Sequence, residues 1–344
     1  MTGPKEGKPA EKNSPHILLL QMKRIGDLML VAPVVKALRR DLPGCRITIA
    51  THNISSGILP LVGADQSLVF KHPFGGIEFW QSFRKLHPDV CIDFSGTDRT
   101  VLLCALSRAG RRIGYQRFLK RPLRKLAYTE TVDSPVAKRH SIDHFTDLLA
   151  PLGVECHNEP LSLDLPESCK SEVSNFLDEA GVRSPYAVVH PGTARTEKYW
   201  TPEGWATILR FLREKHGLNL VVTGSTDPTE AAHLEKIRSA GPGPFLSLAG
   251  KLDLMQLAGV VARARILVGV DSAPGHLGDG LDVPSVVLFG PTNPLQWHPR
   301  GPKSRVVTPP VEKAFPWPEP PMEQITPASV ATAIDELLAE QQVE

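Results

Sequence analysis

The sequence predicts an α/β fold built from two open parallel sheets, and three observations carry that expectation. Short apolar, β-branched runs alternate with longer amphipathic ones, as in parallel strands joined by crossover helices. The alternation stops over residues 151–185 and then restarts. At 344 residues the chain exceeds what one hydrophobic core usually supports, so two domains of roughly 150 residues are expected.

Taken in order, MTGPKEGKPAEKNSP (1–15) is polar, rich in Pro and Gly and without the apolar core of a signal peptide, and it reads as a disordered tail. HILLL (16–20) is the first strand. Helical spacing follows over 28–41, with Leu28, Val31, Val35 and Leu38 on one face, and Pro33 makes its first turn bent or separate. RITIA precedes a helix-like stretch, and VCIDF precedes a helix over 99–108. PLGVECHNEPLSLDLPESCKSE breaks the rhythm and places a hinge near 155–185. YAVVHPG restarts it, followed by a helix at 202–216, LNLVVTG, a helix at 229–240, FLSLAG, a helix at 253–264, RILVGVD, a short helix and PSVVLFG. Residues 308–322 form a proline-rich surface run and 327–341 a last amphipathic helix. The expected units are a tail (1–15), a first domain (16–155), a linker (156–185), a second domain (186–326) and a terminal helix (327–344).

Composition excludes several classes. Lys and Arg number 39 against 37 Asp and Glu, so no global field points to nucleic acid. The five cysteines (Cys45, Cys91, Cys104, Cys156, Cys169) form no C-x-x-C pair and no metal-ligand spacing with histidine, which fits a reducing cytosol and argues against a metal site. No apolar run approaches the ~18 residues needed to span a bilayer, so membrane association would be peripheral. No G-x-G-x-x-G follows the first strand of either half, which speaks against a nicotinamide oxidoreductase.

Three stretches carry chemistry. In QMKRIGDLML (21–30), Asp27 stands at a strand-to-helix turn behind a glycine and two basic residues, Lys23 and Arg24. It suits either a helix cap or a catalytic base. In VGVDSAPGHLGDGLDVPSVVLFGPTNPLQWHPRG (268–301) a buried strand ends at Asp271, and Ser272, Ala273, Pro274 and Gly275 lead into a helix whose N–H groups can cradle a diphosphate. Asp271 and His276 would face the ligand there; a plain capped turn is the alternative. The run LFGPTNPLQWHP, dense in Gly, Pro, Asn and Trp, argues for more than connection. In VVHPGTARTEKYWTPEGW (188–205), Thr193, Ala194, Arg195 and Lys198 crowd a turn in a way that suits neutralising a departing diphosphate; a solvated lysine beside core aromatics is the alternative.

MKRIGDLMLVAPVVKALRRDLP, HPGTARTEKYW and VDSAPGHL…VPSVVLFGPTNPLQWHP together resemble glycosyltransferase family 9, the ADP-heptose:lipopolysaccharide heptosyltransferases, most of all the heptosyltransferase III branch. The resemblance runs from about residue 16 to the C-terminus. It implies a GT-B architecture, two Rossmann-like domains facing each other across a cleft, and metal-independent inverting transfer of heptose from ADP-heptose to a lipopolysaccharide inner-core sugar. The lack of any D-x-D motif agrees. By the same resemblance Asp27 is the general base, and Lys198 with Thr193 and Ala194 serves the phosphates. Asp271 holds the donor sugar, Ala273 to His276 form the diphosphate loop, Ser272 joins the donor contacts, and Glu230 and the backbone of Leu252 contact the nucleoside. No metal or cofactor is implied beyond the donor substrate. The chain departs from many relatives at Ala194, Ala273, Gly278 and Asp279; an acidic Asp279 near a diphosphate loop stands out.

From Arg99 to Thr129 there is no acidic residue, while Arg108 to Lys125 contain eight basic ones. Such a run is either a solvated face or a platform for a phosphorylated lipid A–core acceptor at the inner-membrane surface, with Arg117, Lys120 and Arg121 as contacts. DFSGTDRT (93–100) ends a strand on the side of Asp27, so Asp98 and Arg99, with Lys23 and Arg24, join the expected acceptor contacts. Transfer from another nucleotide sugar on the same fold, or a catalytically silent sugar-nucleotide or lipid-A-core binder, are the competing functions. The joint presence of Asp27 and Lys198 speaks against the silent one.

Overall fold

The computed structural model of the chain describes residues 14–312 and 316–341. Most of the expected N-terminal tail, residues 313–315 of the proline-rich run and the last three residues lie outside that description. The described chain forms two six-stranded sheets, every strand pairing parallel. The first contains β1 (His16–Leu20), β2 (Arg46–His52), β3 (Gln66–Phe70), β4 (Val90–Asp93), β5 (Arg111–Tyr115) and β6 (Glu130–Val132), in the order β3-β2-β1-β4-β5-β6. The second contains β7 (Tyr186–His190), β8 (Asn219–Val222), β9 (Leu246–Ser247), β10 (Ile266–Val270), β11 (Ser285–Leu288) and β12 (Ser304–Val307), in the order β12-β11-β10-β7-β8-β9. Both are therefore doubly wound with the same strand order, and each reverses direction between its first and fourth strand, at β1/β4 and at β7/β10. A crevice opens at the carboxyl ends of the strands at such a reversal.

Central strands of a parallel sheet are covered on both faces and read as unbroken apolar runs. All five residues of HILLL are buried, as are all five of ILVGV in β10. The helix expected over 28–41 is divided: Ile25–Met29 is a separate turn, and Ala32–Asp41 starts anew with Pro33 in its first turn, where a missing N–H costs nothing. The stretch after RITIA holds only a 3-10 turn and the four-residue helix Leu59–Val62. In the second half, helices Pro202–Glu214 and Pro327–Glu340 cover one face of the sheet through Ile208, Leu212, Ile334 and Leu337.

The segment expected as a linker is more than a tether. Its residues Glu167–Glu179 form a 13-residue helix, and Gly259 on helix Leu254–Ala262 leaves room for Val173, which a Cβ would meet at 2.3 Å. Leu161, Leu163, Val173 and Leu177 share one buried cluster with the core of the first half. Helix Ala32–Asp41 clasps the same segment from the other side: Arg40 donates to Glu159 and to the Glu155 carbonyl, and Lys36 to Ser162. The segment is thus packed against both halves.

Candidate active site

The two crevices face each other. A Cβ on Gly26 would lie 3.1 Å from Cδ2 of His276, so helix Ile25–Met29 at the end of β1 abuts helix Ala273–Gly280 at the end of β10. Gly57 likewise meets Leu254 at 3.3 Å. A third contact comes from LFGPTNPLQWHP, whose short helix Pro294–Trp297 and following residues reach the first half. Gln296 donates to the Val136 carbonyl, His140 Nε2 donates to the His298 carbonyl at 2.8 Å, and Arg300 grips Asp143 with two bonds of 2.7 and 2.5 Å.

On the first side Asp27 is buried at 8% exposure. Its helix carries no side-chain cap, and Asp27 sits at the third helical position, taking the Arg24 N–H. Burial pushes its carboxyl above the ordinary carboxylate range; Lys23, the Arg24 N–H, His276 and the Arg24 side chain pull the other way without cancelling it. A carboxylate of raised basicity suits proton abstraction better than capping alone requires. The end of the neighbouring strand β4 carries a buried polar group that the acceptor reading of DFSGTDRT does not single out. Asp93, fully buried at the end of β4, accepts from the Ser95 and Gly96 N–H groups and from the Tyr128 hydroxyl at 2.7 Å. Ser95 in turn donates to Gln21 at the end of β1. A carboxylate closing an apolar strand was the available signal.

On the second side Lys198 and Asp271 form a buried pair: Nζ donates to Oδ2 at 2.6 Å and to the Asp271 carbonyl at 3.1 Å. The 3-10 turn Thr196–Lys198 delivers the lysine from the β7 loop, and the end of β10 delivers the aspartate. No side chain caps helix Ala273–Gly280, since the Ser272 hydroxyl donates to the Val270 carbonyl. Pro274 has no N–H, and the Gly275 N–H already goes to Ser272 at 3.1 Å, so the helix presents its positive pole at Ser272 and Ala273 rather than along the whole loop. Gly275 is a packing glycine whose Cβ would meet Val287 at 3.2 Å, and Gly278 lies so close to Ser285 that a Cβ would stand 2.1 Å from its hydroxyl. Asp279 turns away from the diphosphate loop and accepts from the Arg300 and Gly301 N–H groups and the Ser304 hydroxyl. His276 is buried, and that burial holds its imidazole below the usual histidine range against the pull of Asp271, Asp279 and Asp27.

Glu230 is brought to the same crevice. Its carboxylate accepts from the Ser225 N–H (2.9 Å) and hydroxyl (2.5 Å), and Oε1 lies 4.0 Å from His190 Nε2 at the end of β7. Gly192 makes this possible, because a Cβ there would fall 1.8 Å from Oε1. His190, the first residue of HPGTARTEKYW, and Thr223, 2.8 Å apart, complete this polar wall, and neither is among the expected site residues. Thr193 and Leu252 are partly exposed and Ala194 is exposed.

The acceptor candidates divide. Lys23, Arg24 and Lys120 are exposed. Arg99 donates to His52 at 2.9 Å and lies over the Phe70 ring, and its neighbour Asp98 takes Arg121 at 3.3 Å and also Arg124. Arg117 stacks on Tyr115 at 4.7 Å and Phe118 at 5.4 Å. Arg111 is bound twice by Glu130. Much of the basic run is thus engaged within the fold. Among the described residues no group of three or more His, Cys, Asp or Glu side chains could hold a metal ion.

Two doubly wound sheets whose switch points confront each other, a buried carboxylate on one and a lysine beside an uncapped helix pole on the other, define a two-domain glycosyltransferase of GT-B architecture. The model of glycosyltransferase family 9 (heptosyltransferase) matches residues 77–316. The chain belongs to that family. It is 24% identical over 290 residues to lipopolysaccharide heptosyltransferase 3 of Escherichia coli K12, covering 81% of this chain and 83% of the relative. Its fold is similar to that of a family 9 glycosyltransferase from Veillonella parvula (TM-score 0.80, 21% identity, 96% and 99% of the two chains). E. coli heptosyltransferase WaaC, solved with ADP, superposes with a TM-score of 0.70 at 19% identity over 94% and 99%.

Proposed function

We propose that the chain transfers heptose from ADP-heptose to a sugar of the lipopolysaccharide inner core with inversion at the anomeric carbon. In this reading the second half binds the donor, the first half binds the acceptor, and Asp27 takes the proton from the acceptor hydroxyl as its oxygen attacks the anomeric carbon. The bond to the diphosphate breaks, and the charge on departing ADP is met by Lys198 and the helix pole at Ser272 and Ala273, so no divalent cation is required. Asp271 holds Lys198 in place and offers acceptor oxygens to the donor sugar. Glu230, between Gly192 and Gly224, is placed to receive ribose hydroxyls. The acceptor would be a phosphorylated lipid A–core presented at a membrane, with the enzyme on the cytoplasmic side.

One observation carries this reading: the buried Asp27, its carboxyl raised by burial, follows Gly26, which abuts His276 on the helix that starts just after the Lys198–Asp271 pair. Turnover with a panel of nucleotide sugars and deacylated core acceptors, in the presence of EDTA, tests it. ADP-heptose should give a single new glycosidic product. Turnover with an N-acetylhexosamine donor instead, or activity restored only by magnesium or manganese, would overturn it.

A further inference from the structure

Of nine large hydrophobic side chains exposed among the described residues, eight belong to the first half. The ninth, Leu295, adjoins the Gln296 that bonds Val136 between the halves. The rest of the second half exposes none among its described residues, as expected of a body that takes a water-soluble donor. The most exposed are Leu123 (83%), Phe74 (81%), Leu126 (77%) and Ile77 (76%), at the carboxyl ends of β5 and β3. Leucines so exposed are ordinary singly; two of them three residues apart between cations are not.

Leu123 and Leu126 occupy the 3-10 turn Pro122–Leu126, with Lys120, Arg121 and Lys125 exposed beside them. Asp98 anchors this turn through Arg121 and Arg124, and the Cys104 thiol donates to the Ala127 carbonyl, so the turn runs along helix Asp98–Leu106, itself exposing Leu102 and Leu106. The adjacent Arg99 ties the same helix start to His52 and Phe70, beneath the loop bearing Phe74. The two apolar groups are therefore parts of one rim, around the crevice that holds Asp27. Exposed leucines interleaved with lysines and arginines, where the run from Arg99 to Thr129 carries no carboxylate and the adjoining Asp98 is taken by Arg121 and Arg124, match a surface that is apolar below and anionic above.

We propose that this rim is a docking face for an anionic lipid bilayer, Leu123 and Leu126 entering the acyl boundary while Lys120 and Lys125 stay at the headgroups. The proposal deepens the functional reading above, and rests on it for the acceptor's being lipid-borne. Docking there would bring the crevice with Asp27 to the bilayer surface and leave the second half in water.

The test is flotation of the full chain with vesicles of phosphatidylethanolamine and phosphatidylglycerol, against neutral phosphatidylcholine vesicles, at 0.1 and 0.5 M salt. The wild type should float with the anionic vesicles only and lose binding as salt rises. Leu123→Ser with Leu126→Ser, both at exposed positions and checked by thermal melting, should weaken flotation ~10-fold or more. The same double variant should turn over a deacylated, water-soluble acceptor as the wild type does and lose turnover of acceptor embedded in vesicles. Lys125→Glu should remove part of the salt-sensitive binding. Wild-type flotation of the leucine variant, equal binding to neutral vesicles, or binding only to native membranes in a protease-sensitive way, which means a protein partner, each overturns the proposal. Failure of every acceptor to react sinks the functional reading instead, because flotation is scored without turnover.

Discussion

At the scale of single residues, Asp27 combines burial with a raised pKa, and the two have separable consequences. On the proposed role, Asp27→Asn removes the proton acceptor and keeps the shape, so transfer should be lost while ADP affinity is unchanged. Because the folded-state pKa lies above the unfolded value, ionising Asp27 costs stability, and that cost is present at pH above the folded pKa and disappears as pH falls below the unfolded one. The Asn variant should therefore melt no lower than the wild type at pH 7. In the wild type, kcat/KM should fall on the acid side through a pKa above the ordinary carboxylate range; an acid limb at ~4 with Asn retaining turnover would reduce Asp27 to a cap. Lys198 behaves differently. Lys198→Ala leaves Asp271 buried without its cation, so it should lower stability by about 3 kcal/mol in chemical denaturation as well as turnover by ~10²-fold.

At the scale of elements, the site depends on how closely turns approach one another, and glycine sets that distance. Gly192 ends the β7 turn where the Glu230 carboxylate must pass, so Gly192→Ala should expel Glu230 and weaken ADP binding at least ~10-fold by calorimetry while the melting temperature changes less than for a core cavity. Gly26→Ala is milder, since the added methyl would meet His276 at 3.1 Å and a histidine ring can shift. The expected result is a lower kcat with ADP affinity nearly kept, from a cleft held slightly open. Much of this level is legible in sequence: the central strands β1, β4, β7, β10 and β11 announce themselves as apolar runs because both faces are covered. Strands β3, β5, β6 and β12 do not, because they lie toward or at the sheet edges and carry polar residues. RRIGY reads as part of a basic run until Arg111 is seen bound by Glu130 of the neighbouring strand.

At the scale of the whole molecule, the halves are joined by the Gln296, His298 and Arg300 contacts to Val136, His140 and Asp143. Arg300→Lys cannot reproduce the two-bond grip. Its expected effect is a larger radius of gyration in small-angle scattering and a reduced kcat, with secondary structure intact. His140 adds a pH dependence: burial, chiefly, and the nearby Arg300 push its imidazole down to about 3, so it stays neutral in the fold. The unfolded chain takes up that proton near 6.5, so stability is full above this value and declines as pH falls from there toward 3. His140→Gln, which keeps a donor for the His298 carbonyl, should flatten the fall in melting temperature between pH 7 and 5. An unchanged slope would assign that fall to other groups.

The sequence by itself determined the α/β class, the division into two windings, and the places where strands hand over to turns carrying Asp27, Lys198 and Asp271. Those features are local: periodicity and turn chemistry act over a few residues and are written in order along the chain. Only the tertiary structure decided which charges remain available. Asp279 is consumed by the Arg300–Ser304 turn, Arg117 by Tyr115, Asp98 by two arginines, and Asp93, the first residue of DFSGTDRT, by Ser95, Gly96 and Tyr128. The same holds for LFGPTNPLQWHP, whose density in turn residues marked it as important but could not say that it joins the two halves. A charged side chain's partner can lie 21 residues away, as Arg300 does from Asp279, or 157, as Asp143 does from Arg300, and its free charge depends on that pairing, so composition of a segment bounds its electrostatics while the fold sets it.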